Sequence, residues 1–193
     1  MPTERYAVEI QTPHGLFCAS EPSPPEIQQA LPELARFYNE RHNRSMLGNT
    51  MAMAEPEILR YYAEMQDADA RPFLLHLDDK LMGDADLRHI QPPFAEFAIL
   101  IGDRTRQGHG LGLQFSLLIH ALAFADLNLE RIYASILPEN AASLRLFEKL
   151  GYTRDLGAQA LTYADADTDV ILSLDRARFA QLHEISRVQI RQK

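Results

Sequence analysis

The residues from Phe94 to Leu127 leave this chain few ways to fold. Phe97 to Ile101 is a nearly unbroken apolar run, the pattern of a strand covered on both faces. Gly108, Gly110 and Gly112 follow at alternate positions, so three Cβ atoms are missing from one short turn. Leu113 to Leu127 then reads as a long apolar helix. A helix that starts beside such a turn presents unpaired N–H groups and roughly half a positive charge. Strand, turn and helix together form a site for a phosphate or pyrophosphate.

Composition narrows the class. The chain has 193 residues, which suggests a single domain over 1–193 with one substantial core. No apolar run approaches the ~20 residues that span a bilayer, and Met1 to Tyr6 is too polar for a secretory signal. The single cysteine, Cys18, excludes an internal disulfide and a multi-cysteine metal site, and fits a reducing cytoplasm. The seven histidines show no metal-ligand spacing, so no metal is expected. A net charge of −8 argues against broad nucleic-acid binding and is compatible with a cationic substrate.

Around the central stretch, Tyr6 to Gln11 and Leu16 to Ala19 alternate as two strands joined by a turn. Glu26 to Asn39 has helical spacing, with Pro32 predicting a kink or two shorter pieces. Arg41 to Asn49 is polar and aperiodic, hence a loop, and Glu55 to Met65 resumes as a helix. Phe73 to Leu77 and Leu81 to Leu87 form a hairpin over Asp78-Asp79. After the long helix come a strand from Arg131 to Leu137, a helix from Ala141 to Leu150 closed by Gly151, and a strand beginning at Tyr152. A strand from Val170 to Leu174 precedes a final helix capped by Asp175, with Phe179, Leu182, Ile185 and Val188 as its stripe. The order predicts an α+β domain: a mostly antiparallel sheet with one parallel junction at the glycine turn, flanked by helices.

Two motifs in this order resemble one superfamily. Gln107-x-x-Gly110-x-Gly112 is similar to the acyl-CoA pyrophosphate loop of the GNAT N-acetyltransferases. About 30 residues on, Asn140-Ala-Ala-Ser143-Leu-Arg-Leu-Phe147-Glu-Lys-Leu-Gly151-Tyr152 looks like their second block. Ala95-Glu96-Phe97 is similar to the branch of ribosomal-protein alanine and spermidine acetyltransferases. The resemblance implies a six- to seven-stranded sheet splayed at the cofactor site, and acetyl-CoA as cofactor. It implies that the backbone of Ile99, Leu100 and Ile101 pairs with the pantetheine arm. The amides of Gln107, Gly108, His109, Gly110, Leu111, Gly112 and Leu113 would receive the pyrophosphate. Arg106 would add charge at its edge, or be a solvated loop arginine like Arg104. Asn140 would bond the pantetheine arm or merely cap the following helix, with Ser143 and Phe147 beside the arm. A Rossmann reading fails, because G-x-G-x-x-G would need glycine where Leu113 stands.

The implied reaction moves an acetyl group directly to a primary amine on a small molecule or a protein N-terminus. Glu96 is the expected base or amine anchor, against the alternative of a solvated strand-end carboxylate. Asp84 and Asp86 share one face of the preceding strand by period two, and His76 is a further candidate base. Many family members have a tyrosine at the position of Phe147 to protonate the leaving thiolate; phenylalanine has no proton to give. That departure keeps open a non-catalytic acyl-CoA-binding protein of the same fold. The tyrosines at 61 and 62 and the 41–49 segment border the acceptor pocket by resemblance, and homodimers are common in such enzymes.

Overall fold

The structure, a computed structural model, describes residues 4–48 and 51–193. Two expectations touch undescribed residues: the polar start of the chain at Met1 to Thr3, and Asn49 at the end of the 41–49 segment. The chain opens with β1 (Tyr6–Thr12) and β2 (Gly15–Ser20), then α1 (Pro24–Asn39), α2 (Arg41–Met46) and α3 (Glu55–Asp67). β3 (Arg71–Leu77), β4 (Lys80–Gln91) and β5 (Phe94–Ile101) follow as a meander, and α4 (Leu111–Ala125) leads into β6 (Arg131–Ile136). The remainder is α5 (Ala141–Leu150), β7 (Thr153–Arg154), α6 (Ala158–Leu161), β8 (Val170–Asp175), α7 (Arg176–Leu182) and β9 (Gln189–Gln192).

Among the described residues the strands make one nine-stranded sheet in the order β7-β8-β6-β5-β4-β3-β2-β1-β9. The ladders are antiparallel apart from β5 with β6, the parallel junction expected from the sequence. The sheet is wider than the six or seven strands expected. Short β7 adds one edge, and β9 adds the other by pairing with β1 from Tyr6↔Gln192 to Glu9↔Gln189. The last helix accordingly stops at Leu182, short of the expected Ile185 and Val188. Val188 and Ile190 pack on the core from an extended segment, where the open edge of β1 supplies backbone partners that a longer helix would forgo.

The sheet separates two cores. On one face α4 and α5 cover Phe73, Leu75, Ala85, Leu87, Phe97 and Ile132. On the other, α1 and α3 pack Leu31, Leu34, Ile58 and Tyr62 against Leu74 and Leu100. Alternation therefore sends Ala85 and Leu87 one way and their neighbours Asp84 and Asp86 the other. α1 runs unbroken through Pro32, because Pro32 and Gln28, whose carbonyl it cannot bond, both lie on the exposed side. Asp78 and Asp79 adopt φ of 48° and 63°, the left-handed pair a two-residue hairpin needs.

The larger core contains a polar pair. His120 is fully buried, with Nδ1 2.7 Å from the Ser116 carbonyl and Nε2 2.7 Å from the Tyr152 hydroxyl. A carbonyl only accepts, so Nδ1 carries the proton and Nε2 accepts from Tyr152. Burial holds the ring neutral, its pKa pushed down to about 4. Tyr152→Phe would strand Nε2 without a donor and cost about 1–3 kcal/mol. Urea unfolding should show a lower midpoint at unchanged slope; an unmoved midpoint would mean the hydrogen bond contributes nothing net.

Candidate active site

β5 and β6 run together for only three residues. Their pairing covers Phe94↔Arg131, Ala95↔Ile132 and Glu96↔Tyr133, then stops, although β5 continues to Ile101. β6 stays with β8 as far as Ile136↔Val170. The sheet thus forks beyond Glu96, and the edge of β5 from Phe97 to Ile101 turns away from its neighbour. Backbone N–H and C=O groups on such an edge need partners. Behind the fork Phe97 packs on Phe147 at 5.9 Å, and Phe147 on Tyr152 at 4.9 Å. Phe147 is buried in the core between these two rings.

The glycine turn sits at the open end. Gly108 and Gly110 have φ of 79° and 83°, left-handed values that penalise a Cβ, and an added Cβ at either would meet nothing within 4 Å. Both glycines face open space beside the start of α4, whose N-cap is Gly110 and which has no side-chain cap. That leaves the first amides of α4 to an outside acceptor. Gly112 serves packing instead. A Cβ there would come within 3.2 Å of Leu146 Cδ2, so its absence lets α5 approach α4. Leu111 is buried, Leu113 half-buried, and His109 and Arg106 are exposed.

Gln107 is braced rather than free. Its Nε2 donates to the Ile101 carbonyl at 2.7 Å and to Asn43 Oδ1 at 2.8 Å, and Arg104 donates to its Oε1. Asn43 is itself 1 % exposed, and its Nδ2 donates to the Phe37 and Gly102 carbonyls at 3.0 and 2.9 Å. One buried amide therefore joins α1, the end of β5 and the turn. The sequence predicts a loop over 41–49, but Arg41–Met46 is a helix capped by Glu40, whose side chain accepts from the Asn43 amide. Its inward group is polar, so no apolar period announces it. Asn140 accepts from the Ser143 amide at 3.1 Å, the capping geometry, and its Nδ2 reaches the Met46 carbonyl at 3.4 Å. Ser143 is half-buried in the first turn of α5.

On the opposite face from Phe97 lies a cavity of about 290 Å³. Tyr38, Leu47, Met53 and Tyr61 wall it, Asp84, Asp86 and Arg88 supply its polar groups, and Ala98 to Leu100 of β5 close it. It thus opens on the same strand segment that the fork exposes. Asp84 Oδ2 accepts from the Tyr38 and Tyr62 hydroxyls at 2.5 and 2.8 Å, yet burial still raises its pKa to about 6. Burial raises that of Asp86 further, to about 7, opposed by Arg88 and reinforced by Asp84, Glu96 and Asp165. His76 is not among the lining residues, and burial lowers its pKa.

Glu96, the expected base, is not at the surface of this cavity. It is 0 % exposed, with Oε1 2.6 Å from Arg88 Nη2 and Oε2 2.8 Å from His89 Nδ1. It is therefore not a solvated strand-end carboxylate, and it does not line this cavity. Resemblance to related enzymes ranks Glu96 above Asp86, and the period-two spacing of Asp84 and Asp86 cannot say which side of a sheet becomes a cavity. Among the described residues no cluster of side chains could hold a metal ion, and no helix is long and apolar enough to cross a membrane.

A strand edge that leaves its parallel neighbour beside an uncapped, glycine-preceded helix offers backbone groups to an extended ligand with an anionic end. Residues 24–153 match the family model of the acetyltransferase (GNAT) domain, so the chain belongs to the GNAT acetyltransferases, whose domain uses acetyl-CoA. An N-acetyltransferase 9-like protein of Nematostella vectensis is 29 % identical over 107 residues. That alignment covers 54 % of this chain and 51 % of the relative, so the chain matches about half of that protein's length. The fold is similar to RimJ of Mycobacterium smegmatis in complex with CoA-disulfide, with TM-score 0.72 and 15 % identity over 95 % and 96 % of the two chains. It is also similar to spermidine N-acetyltransferase of Vibrio cholerae with CoA and spermine, with TM-score 0.69 and 19 % identity over 85 % and 98 %.

The buried carboxylates have a stability consequence. Asp86 binds its proton more tightly folded than unfolded, so the unfolded state is favoured once pH exceeds the usual carboxylate value and fully so above about 7. Asp86→Asn should therefore stabilise the protein by up to ~4 kcal/mol at pH 8, fading toward pH 4. Thermal melts at the two pH values would check this; equal or lower stability at pH 8 would refute the burial penalty.

Proposed function

We propose that residues 1–193 form one acetyl-CoA-dependent N-acetyltransferase domain that acylates a primary amine in the cavity above Ala98 to Leu100. The observation that carries this reading is the fork: one strand segment has an edge that β6 leaves unpaired, where an extended cofactor arm would lie, and a face that closes the acidic cavity. The amides at the start of α4, with Gly108 and Gly110 open around them, would hold the diphosphate. The backbone from Ile99 to Ile101 would pair with the pantetheine amides, and Arg106 would reach the phosphates from the exposed side. Bound acetyl-CoA would supply the acetyl group as an activated thioester.

Asp86 is the proposed proton acceptor, and Asp84 a second negative charge that draws the ammonium in. A lysine-like amine needs about 4–5 kcal/mol to lose its proton at pH 7. A base whose own pKa lies near the working pH is the efficient choice, contributing about 10²–10⁴ in rate. Glu96 then acts behind the cavity, through Arg88. Phe147 has no proton to donate, and the Tyr152 hydroxyl is committed to His120. A thiol with pKa near 8.5 is a tolerable leaving group without either. Cytoplasmic residence and a homodimer accompany this reading as proposals; the single Cys18 supports a reducing setting for the first.

Thiol release from acetyl-CoA across spermidine, a peptide with a free α-amine and an aminoglycoside tests the activity. Asp86→Asn should lower turnover ~100-fold or more with CoA binding intact. Saturable CoA binding without thiol release from any amine would instead favour a non-catalytic acyl-CoA-binding protein. Gly110→Asp puts a like charge against the diphosphate, which costs several kcal/mol. Calorimetry should find CoA affinity reduced by ~100-fold or more; unaltered affinity would move the cofactor elsewhere.

A further inference from the structure

We propose that Glu96 and Asp165 are positioning residues for the transfer: by holding the Arg88 guanidinium on their own oxygens, they keep it from closing on Asp86 and leave Asp86 free to take the acceptor's proton. This rests on the reading of Asp86 as proton acceptor.

Three carboxylates surround one guanidinium, and they do not share it equally. Arg88 Nη2 donates to Glu96 Oε1 at 2.6 Å and to Asp165 Oδ2 at 2.9 Å. Asp86 Oδ1 lies 3.9 Å from Arg88 Nε, beyond hydrogen-bond reach. Both of those atoms are buried, and neither has a hydrogen-bond partner among the described residues. A buried carboxylate oxygen and a buried guanidinium N–H left unpaired side by side is a costly arrangement. Something must keep them apart, and the two bonds on Nη2 do so.

Each anchor is itself fixed. Glu96 is the last β5 residue paired with β6, and its second oxygen meets His89 Nδ1 at 2.8 Å. His89 reaches that point from a left-handed backbone, φ 48°, at the irregularity between Arg88 and Gln91. Such strain in a non-glycine residue persists only where surrounding contacts hold it. Asp165 belongs to the segment between α6 and β8. Its amide donates to Ser135 Oγ at 3.0 Å, and that hydroxyl donates to Asp169 at 2.7 Å. The charged and titratable groups around Asp86 are thus Asp84 and Arg88 on β4, Tyr38 on α1, and Tyr61 and Tyr62 on α3. Glu96 on β5, backed by His89, and Asp165 beyond α6 complete the set.

An arginine in full contact would lower a carboxyl's pKa by about 1–3 units and make it a poor base. Withdrawn to 3.9 Å, Arg88 still pulls the Asp86 pKa down, but not far enough to overcome the burial that raises it.

The direct test follows the Asp86 carboxyl in the free, full-length protein. Its protonated C=O stretch is assigned as the infrared band lost in Asp86→Asn and titrated against pH. The wild-type midpoint should lie near 7. In Asp165→Asn the midpoint should fall by about one pH unit as Arg88 closes, and by clearly less when Asp165→Asn is added to an Arg88→Met, Glu96→Gln background, where only the like charge of Asp165 is lost. Asp165 is half exposed, so this variant is expected to fold, with CoA binding as its check. The paired variant Arg88→Met with Glu96→Gln, which removes the buried ion pair as a unit, should shift the midpoint upward by a similar amount. The acid limb of thiol release with the best amine acceptor should move in the same directions. A merely structural role would lower the plateau with no shift. An unmoved midpoint in Asp165→Asn overturns the proposal even if activity falls. Should Asp86→Asn retain turnover, the reading of Asp86 as base fails instead.

Discussion

Everything in this fold that concerns chemistry depends on one interruption: β5 leaves β6 after the pairing of Glu96 with Tyr133. A sheet that stayed closed would bury the backbone of Phe97 to Ile101 against a neighbour and leave nothing to bind. Behind the fork Phe97, Phe147 and Tyr152 pack on one another, and β6 remains tied to β8 along its whole length. Gly112 brings α5 onto α4 just where the gap widens. The freed strand edge is then a row of backbone donors and acceptors suited to an extended amide-bearing chain.

The same fork organises the charges. β4 and β5 stay paired across it, so Asp86 sits opposite Ala98 and Arg88 opposite Glu96, on the face away from these aromatic rings. α1 and α3 cover that face with tyrosines, and the hydroxyls of Tyr38 and Tyr62 go to Asp84. Burial makes these carboxylates expensive to ionise, which suits a proton acceptor and works against stability. The polar pair in the core on the other face, His120 with Tyr152, is by contrast mutually satisfied.

How much of this is legible in the sequence varies with the kind of signal. The central strand, the glycine turn and α4 are visible because their patterns are local: an apolar run, missing Cβ atoms, helical spacing. The Asp78-Asp79 hairpin and the Asp175 cap are equally plain. α2 escapes because Asn43 anchors it through hydrogen bonds rather than an apolar stripe. β9 escapes because an exposed four-residue strand exists only where β1 offers an edge. Glu96 falls correctly on β5, yet its burial and its partners cannot be read, since Arg88 and His89 reach it across a turn with an irregular register.

The sequence by itself determined the parallel junction, the glycine turn ahead of α4 and membership of the GNAT acetyltransferases, since each is written in contiguous residues and fixed spacings. Only the tertiary structure decided which carboxylate borders the cavity between α1, α3 and the sheet and which one holds an arginine behind it. Asp84, Asp86 and Glu96 are chemically alike, and alternation puts all three on one face. Their difference is made by depth and by neighbours from α1, α3 and the segment beyond α6, and desolvation and through-space charge have no signature in one dimension.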